Sequence, residues 1–391
     1  MADTNRPSGP LVLDRSLREH PEAMDRDRLV GANAAAARFL ADQLASAVGA
    51  SPRGYLSGRG FGPLLDSSQW LLGFAPPTWT ALSDHLRSGG YGAEELLAAG
   101  LATRTRHGKV IDRFRDRVTL PVHNLAGETV GFIGRAAPHV GADVPKYLNS
   151  PRTVLYDKSS LLFGLAEQRE PVSGGAVPVL VEGPFDVLAV HLTNTQGGRP
   201  LAGVAPCGTA LTSAQVGSLA ELAGDRVLVA FDPDPAGVRA AAASYDLLAT
   251  HFARLGAAAL PEGCDPASVL QNGGGATLRE ALSHESPLAD RVVDHGLRPW
   301  AAHLQDNAEA RAAALVELAP RVARLRPGDI SRQAARLADR LRLEPSTVTA
   351  ELTDAVTAQS FRTARPTSRG ATALSTDPFR RIAPEPGLSL H

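Results

Sequence analysis

Val177-Pro178-Val179-Leu180-Val181-Glu182-Gly183 and Arg226-Val227-Leu228-Val229-Ala230-Phe231-Asp232-Pro233-Asp234 decide the fold of this chain. Each is a short, apolar, β-branched run that stops at an acidic residue and a turn former, the pattern of a buried strand in an α/β sheet. Around them the sequence predicts helices over Phe185 to Thr193, Ser213 to Leu222 and Gly237 to about Leu255. Leu201-Ala202-Gly203-Val204-Ala205-Pro206 forms a further strand, and Ala257-Ala258-Ala259-Leu260 another. Strand–helix alternation at this spacing calls for parallel strands covered by helices on both faces. Carboxylates at the carboxyl ends of such strands stand where open α/β sheets place their ligands. Glu182, Asp232 and Asp234 would repel one another there unless something positive sat between them. A hard divalent cation with oxygen ligands is the economical answer.

Composition limits the alternatives. The chain has 391 residues, 43% of them hydrophobic, enough for two or three domains with real cores. A formal charge of −1 gives no global basic field, so any polyanion site must be a local patch. No apolar run approaches a membrane span, and Met1–Pro10 lacks a signal-peptide core, so a cytoplasmic protein is expected. Cys207 and Cys264 are too few for a disulfide framework or a four-thiolate zinc site, and no zinc is expected. Of 40 basic residues only three are lysine, and Lys109, Lys146 and Lys158 all fall within residues 109–158. In a chain so biased to arginine, those lysines point to a place where a compact ammonium meets phosphate.

Outside the strand–helix region, residues 1–27 form a flexible leader and the Ala/Leu-rich segment from Arg28 to Val48 a helix. Ser51 to Gly62 reads as a glycine-rich loop, and helices follow at Thr78–Ser88 and Ala93–Ala99. Arg115 to Val122 and Thr129 to Arg135 alternate around the Ala126-Gly127 turn as a hairpin. This β-rich stretch is the most basic part of the chain and suits a phosphate backbone. From Ser286 to Thr357 the pattern is helical, with Ser346 as N-cap of the last helix. Residues 359–391 form a Pro/Ser/Thr-rich disordered tail. His107, His123 and His191 lack metal-ligand spacing and are structural, and the tryptophans belong to the core.

Glu182-Gly183-Pro184-Phe185-Asp186, then Cys207-Gly208-Thr209, then Asp232-x-Asp234-x-x-Gly237 resemble the Toprim module of topoisomerases, primases and some nucleases. Upstream, Arg115-Asp116-Arg117, Phe132-Ile133-Gly134-Arg135, Pro145-Lys146-Tyr147-Leu148-Asn149-Ser150-Pro151 and Phe163-Gly164-Leu165 resemble the catalytic core of DnaG-type bacterial primases. Tyr55-Leu56, Arg59-Gly60 and Gly73-Phe74-Ala75-Pro76 extend the likeness towards the N-terminus.

The resemblance implies an α/β (α+β overall) architecture: a mixed α/β N-terminal subdomain over residues 28–170 that binds template through a basic face, a Toprim-like parallel sheet flanked by helices over 175–285, and a helical subdomain over 286–358. It implies an enzyme that makes short RNA primers on single-stranded DNA from NTPs, a DNA-directed RNA polymerase of primase type, using Mg²⁺ or Mn²⁺. Glu182, Asp232 and Asp234 would then be catalytic, with Asp265 a further metal ligand. Arg115, Arg117, Arg135, Lys146, Asn149, Lys158, Gly183 and Gly237 would contact DNA or nucleotide, Gly237 by permitting close phosphate approach. Ala267 stands where the family usually has another Asp. Asp186 reads as a helix N-terminal residue satisfied by local amides. The zinc-binding and helicase-binding regions of the family lie outside the resemblance, so a separate zinc-binding protein and a replicative helicase are possible partners, and a nucleoid-associated location follows. Two alternatives stay open: a Toprim nuclease or other phosphodiester-cleaving enzyme, and a catalytically weak, DNA-binding replication accessory.

Overall fold

A computed structural model describes residues 25–137, 143–208, 210–232 and 234–363. The expected leader lies almost wholly outside this range, as does most of the expected tail, together with Thr209 and Pro233 of the motifs.

The N-terminal part comprises α1 (Arg26–Ala45), α2 (Ala50–Gly58), β1 (Gly73–Ala75), α3 (Ala81–Ser88), α4 (Ala93–Ala98), β2 (Ala102–Arg104), β3 (Val110–Asp112), β4 (Arg117–His123), β5 (Thr129–Ala136) and β6 (Tyr147–Asn149). Strands β1, β4, β5 and β6 form an antiparallel sheet in the order β1-β4-β5-β6. The predicted hairpin is its centre, and Gly127 takes φ +80° in the turn. Helix α1 buries Leu29, Ala32, Ala36, Leu40 and Leu44, spaced at three to four residues, against this sheet. Residues 50–58 are helix, contrary to the loop expected there. Gly54 and Gly58 face open space, while Leu56 is fully buried, so tertiary packing outweighs the glycines' low propensity.

The chain then builds β7 (Leu162–Phe163), α5 (Arg169–Ser173), β8 (Val177–Leu180), α6 (Pro184–Leu192), β9 (Leu201–Pro206), α7 (Ser213–Ala220), β10 (Arg226–Val229), α8 (Pro235–Ala249), β11 (Arg254–Ala258), α9 (Pro266–Ser283) and β12 (Glu285–Pro287). The sheet order is β12-β11-β10-β8-β9-β7. Its four central strands are parallel, as the alternation predicted, and β12 and β7 run antiparallel at the two edges. Helix α8 is shorter than expected and β11 starts earlier, because Arg226–Val229 dictates a parallel register with Arg254–Ala257. Helix α9 goes unread in the sequence because Gly273-Gly274-Gly275 interrupts it, and Gly274 breaks the helical path at φ +76°.

Helices α10 (Leu288–Leu297), α11 (Ala308–Val322), α12 (Pro327–Leu341) and α13 (Pro345–Thr363) complete the described chain. Helix α13 starts at Pro345, placing Ser346 in the first turn instead of at the N-cap; proline's fixed φ suits the first helical position.

Alternation along the parallel strands divides the core. Val177, Val179, Val181 and Leu228 face a cluster shared with α6, α9 and the N-terminal sheet residues Val118, Leu120 and Val130. Leu180, Val204, Val227 and Val229 face the opposite way, into a cluster with α8 and α10–α13. The parallel sheet is the wall between the basic N-terminal part and the helical C-terminal part.

Candidate functional site

Strand β8 ends one residue before Val181-Glu182, and β10 ends three residues before Asp232, so parallel neighbours deliver both acids to one edge of the sheet. The Asp232 amide donates to Glu182 Oε1 at 3.1 Å, joining the two strand ends directly. Asp234 caps α8, its Oδ1 accepting from the Gly237 amide at 2.7 Å. Asp265 caps α9 in the same way, accepting from Ser268 at 2.6 Å. Each cap occupies one carboxylate oxygen.

None of these acids has an ion-pair partner among the described residues, and the energetic consequence is visible. Burial, and then the charges of Asp234 and Asp265, push Glu182 above the ordinary carboxylate range despite the Asp232 amide. Burial, Glu182, Asp265 and Asp234 push Asp232 up to about 6, a rise eased by the Lys146 ammonium. Asp186, only 6% exposed, is pushed up to about 7 by burial and by Asp265 and Asp232. Its Oδ2 accepts from Gly183 and its Oδ1 from Ala267, both at 3.1 Å, so it is held by amides as expected. Among the described residues no three His, Cys, Asp or Glu side chains close around an ion-sized point. The acids form an open, uncompensated negative patch made only of hard oxygen donors.

Gly237 has a steric reason to be glycine. A side chain there would collide with the Asp232 carbonyl and approach Glu182 Oε1 to 2.6 Å. Its amide is given to Asp234, which ties the acidic loop to the start of α8. The Gly183 amide is likewise spent on Asp186.

Opposite the acids stands a basic and aromatic wall. Arg135 of β5 donates from Nε to Tyr55 Oη at 2.7 Å and from Nη1 to Tyr147 Oη at 2.6 Å, and lies 4.8 Å above the Phe185 ring centre. Arg59 lies over the Phe185 and Tyr55 rings, and its buried Nε has no hydrogen-bond partner among the described residues. Burial raises the Tyr147 hydroxyl to about 12, keeping it a neutral hydrogen-bonding group. Lys146 is exposed next to Tyr147, and its charge reaches Asp232. Lys158 is exposed and lays its stem along Gly208; its backbone is anchored to α7 by Gln215 Nε2 at 2.9 Å. Asn149 Nδ2 donates to the Cys207 carbonyl at 2.5 Å, stitching the antiparallel sheet to the parallel one.

One expected phosphate contact is corrected. Arg117 is 5% exposed, and its Nη1 is consumed by the carbonyls of Gly134 and Pro145. Arg115 stacks 4.7 Å above the Trp79 ring and donates to the Asp112 carbonyl. Trp79 is itself 60% exposed, whereas Trp70 is in the core as predicted. His123 pairs with Glu167 at 2.7 Å and His191 packs edge-on against Trp70, both structural. Arg59, Tyr55 and Tyr147 lie within the family motifs, but the sequence alone assigns them no role at the site. Their signal was an arginine and two tyrosines beside glycines and Lys146, chemistry that becomes a site only when β5 brings Arg135 among them.

A parallel sheet with carboxylates at its strand ends, fused to a basic antiparallel sheet, defines a Toprim-bearing catalytic core. Residues 39–169 match the family model described as DNA primase catalytic core, N-terminal domain, and residues 179–270 match a Toprim-like family. The DNA primase of Mycobacterium tuberculosis H37Rv is 36% identical over 318 residues, covering 80% of this chain and 48% of that protein. The crystal structure of the RNA polymerase domain of M. tuberculosis primase DnaG matches with a TM-score of 0.69 at 35% identity, over 80% of this chain and 99% of that one. The same domain in complex with a double-stranded DNA oligomer bearing a 6-nucleotide overhang matches with a TM-score of 0.67 at 36% identity, over 82% and 99%. The chain belongs to the DnaG-type primase catalytic-core family. It spans about half the length of the curated relatives it matches.

Proposed function

We propose that this chain is a template-directed nucleotidyl transferase that makes short RNA primers on single-stranded DNA from NTPs, with Mg²⁺ or Mn²⁺. The observation that carries this reading is the uncompensated patch of Glu182, Asp232, Asp234 and Asp265 facing Lys146 and the Arg135 cage. Repelling carboxylates in a half-buried setting fit a hard cation, and an open arrangement suits an ion that keeps several of its waters. Asp232, the free oxygens of Asp234 and Asp265, and Glu182 are the groups to hold it. Buried Ala267 leaves Asp265 the only acid at the start of α9. When bound, the ion supplies charge stabilisation for the attacking and leaving oxygens of an in-line phosphoryl transfer.

The chain's own residues do the rest. Glu182 Oε1 is tied to the Asp232 amide, which leaves Oε2 to face either the ion or the proton of the attacking hydroxyl. Lys146 and Lys158 offer mobile point charges to phosphates. Arg135 is fixed by two phenols and an aromatic face, so it presents its guanidinium without further ordering. Asn149 holds the two sheets in register across the cleft. A cytoplasmic, nucleoid-associated setting with a zinc-binding protein and a replicative helicase as partners goes with this reading, on the family likeness.

Asp232→Asn tests it. Primer synthesis from labelled NTPs on single-stranded template falls by at least about a hundredfold, while DNA affinity changes by less than about twofold. Full activity in that variant sinks the assignment. Strand cutting without synthesis by the unaltered protein would favour a nuclease, and DNA binding with no response to Mg²⁺ or Mn²⁺ would favour an accessory role.

A further inference from the structure

A second concentration of charge lies on the far side of the parallel sheet. Helices α8, α10 and α11 enclose a recess of about 420 Å³. Arg239, Ala242, Ala243 and Asp246 fall at i, i+3, i+4 and i+7 of α8 and make its floor. His295 of α10, Arg321 in the last turn of α11 and Arg324 just beyond its end face them. A second recess of about 380 Å³ shares Arg321 and Arg324 and continues between α11 and α13, past Ala355 and Ala358. The two make one arginine-lined trough.

Positive charge there exceeds its compensation. Arg324 pairs with Asp246, and Arg321 reaches Glu317 only at 3.7 Å, both near the surface. Arg239 and Arg298 have no acidic partner among the described residues. The neighbouring acids of α10 are taken elsewhere: Asp290 by Arg332, and Asp294 by Arg336 and Arg340. His295 shows where the field converges. Its Nδ1 is buried without a hydrogen-bond partner, and its imidazole is pushed down by burial and by Arg321, Arg298 and Arg239. That field holds the ring neutral, and the excess of cations around it suits an anion.

We propose that this trough is a second phosphate track, which carries the sugar–phosphate backbone of the nucleic-acid strand beyond the carboxylate site. The inference rests on the nucleotidyl-transfer reading above. The trough starts close to that site, since α8 rises about 7 Å from Asp234 to Arg239. Its floor of alanines admits a backbone without steric barrier. Guanidinium forks match phosphate oxygens and persist through every pH the enzyme meets. The trough offers little platform for a base: Tyr245 is 1% exposed, with its hydroxyl donated to Asp329 at 2.5 Å, and His295 is partly buried among the arginines. Contacts of this kind hold and orient a strand without reading its sequence. A small nucleotide would find phosphate ligands here but little to grip its base.

The test compares single-stranded oligonucleotides of about 8 and about 30 nucleotides, the shorter spanning one site and the longer reaching the trough. Binding is measured by fluorescence anisotropy across a salt series with the full chain and with Arg239→Ala/Arg321→Ala. For the long strand the double variant loses about tenfold in affinity, and its log–log salt slope shrinks by about 1.4, two phosphate contacts' worth. The short strand binds both proteins alike, and Arg239→Lys/Arg321→Lys recovers most of the loss. Both arginines are surface-exposed, so the variants fold, which thermal melting verifies. An unchanged slope for the long strand overturns the proposal. So does inorganic tripolyphosphate stabilising the parent but not the double variant while long-strand binding is equal, which would mark a pocket for free polyphosphate. Repeating the series in the Asp232→Asn background separates the two readings, because strand binding is scored there without any synthesis.

Discussion

At the scale of single residues, the site depends on how little room the acidic loop has. Gly237 sits beneath the Asp232 carbonyl and beside Glu182, so Gly237→Ala must push the two strand ends apart. Displacements near 1 Å in a catalytic constellation cost about a hundredfold in rate. Primer synthesis by Gly237→Ala therefore falls by about that factor while circular dichroism stays that of the parent; parent-like activity would show that the loop tolerates the shift. Glu182, Asp232 and Asp234 were legible in the sequence because an acid that stops a β-branched run has few other reasons to be there. Arg117 was not. Its charge reads as a phosphate ligand until β5 and the Pro145 carbonyl close over it, and burial of that kind is a tertiary fact. The Arg135 cage is likewise assembled from Tyr55, Tyr147 and Phe185, which lie far apart in the chain.

Among elements, the join between β3 and α3 is a clear case of a side chain standing in for backbone. Asp112 accepts from the Leu82 amide at 2.9 Å, and from the Ser83 amide at 2.8 Å and hydroxyl at 2.5 Å, satisfying the first turn of α3 from another strand. Asp112 is 3% exposed, so Asp112→Ala leaves buried donors unpaired and lowers unfolding free energy by about 2–3 kcal/mol, measurable by urea denaturation. A loss below about 0.5 kcal/mol would mean that water replaces the carboxylate there. The alternation of strands and helices over 177–258 was readable, since pattern period and buried length agree. Helices α2 and α9 were hidden by glycines at positions where the surrounding fold, not local preference, sets the backbone. Edge strand β12, three residues containing Pro287, has no pattern to announce it.

For the molecule as a whole, the clustered acids link stability to pH and to metal. An unfolded aspartate releases its proton near pH 3.9, while Asp232 and Asp186 hold theirs to about 6 and about 7 in the folded protein. The folded state binds more protons between those limits, so the metal-free protein loses stability as pH rises from about 4 to 7. A divalent cation offsets the repulsion only once the acids are ionised. Millimolar Mg²⁺ therefore raises the melting temperature by about 2–4 °C at pH 8 and by much less at pH 5, as differential scanning fluorimetry would record. Equal shifts at both values would detach the ion from these carboxylates. The division of the core by the parallel sheet was also legible in outline, through strands apolar on both faces, but which part lies against which face was not. Finally, both margins of that sheet are formed by β7 and β12, two and three residues long and antiparallel to their neighbours. Strands so short, one closed by a proline, leave little free edge of their own for another chain to pair with. Margins of this kind guard the sheet against pairing with another copy of the chain.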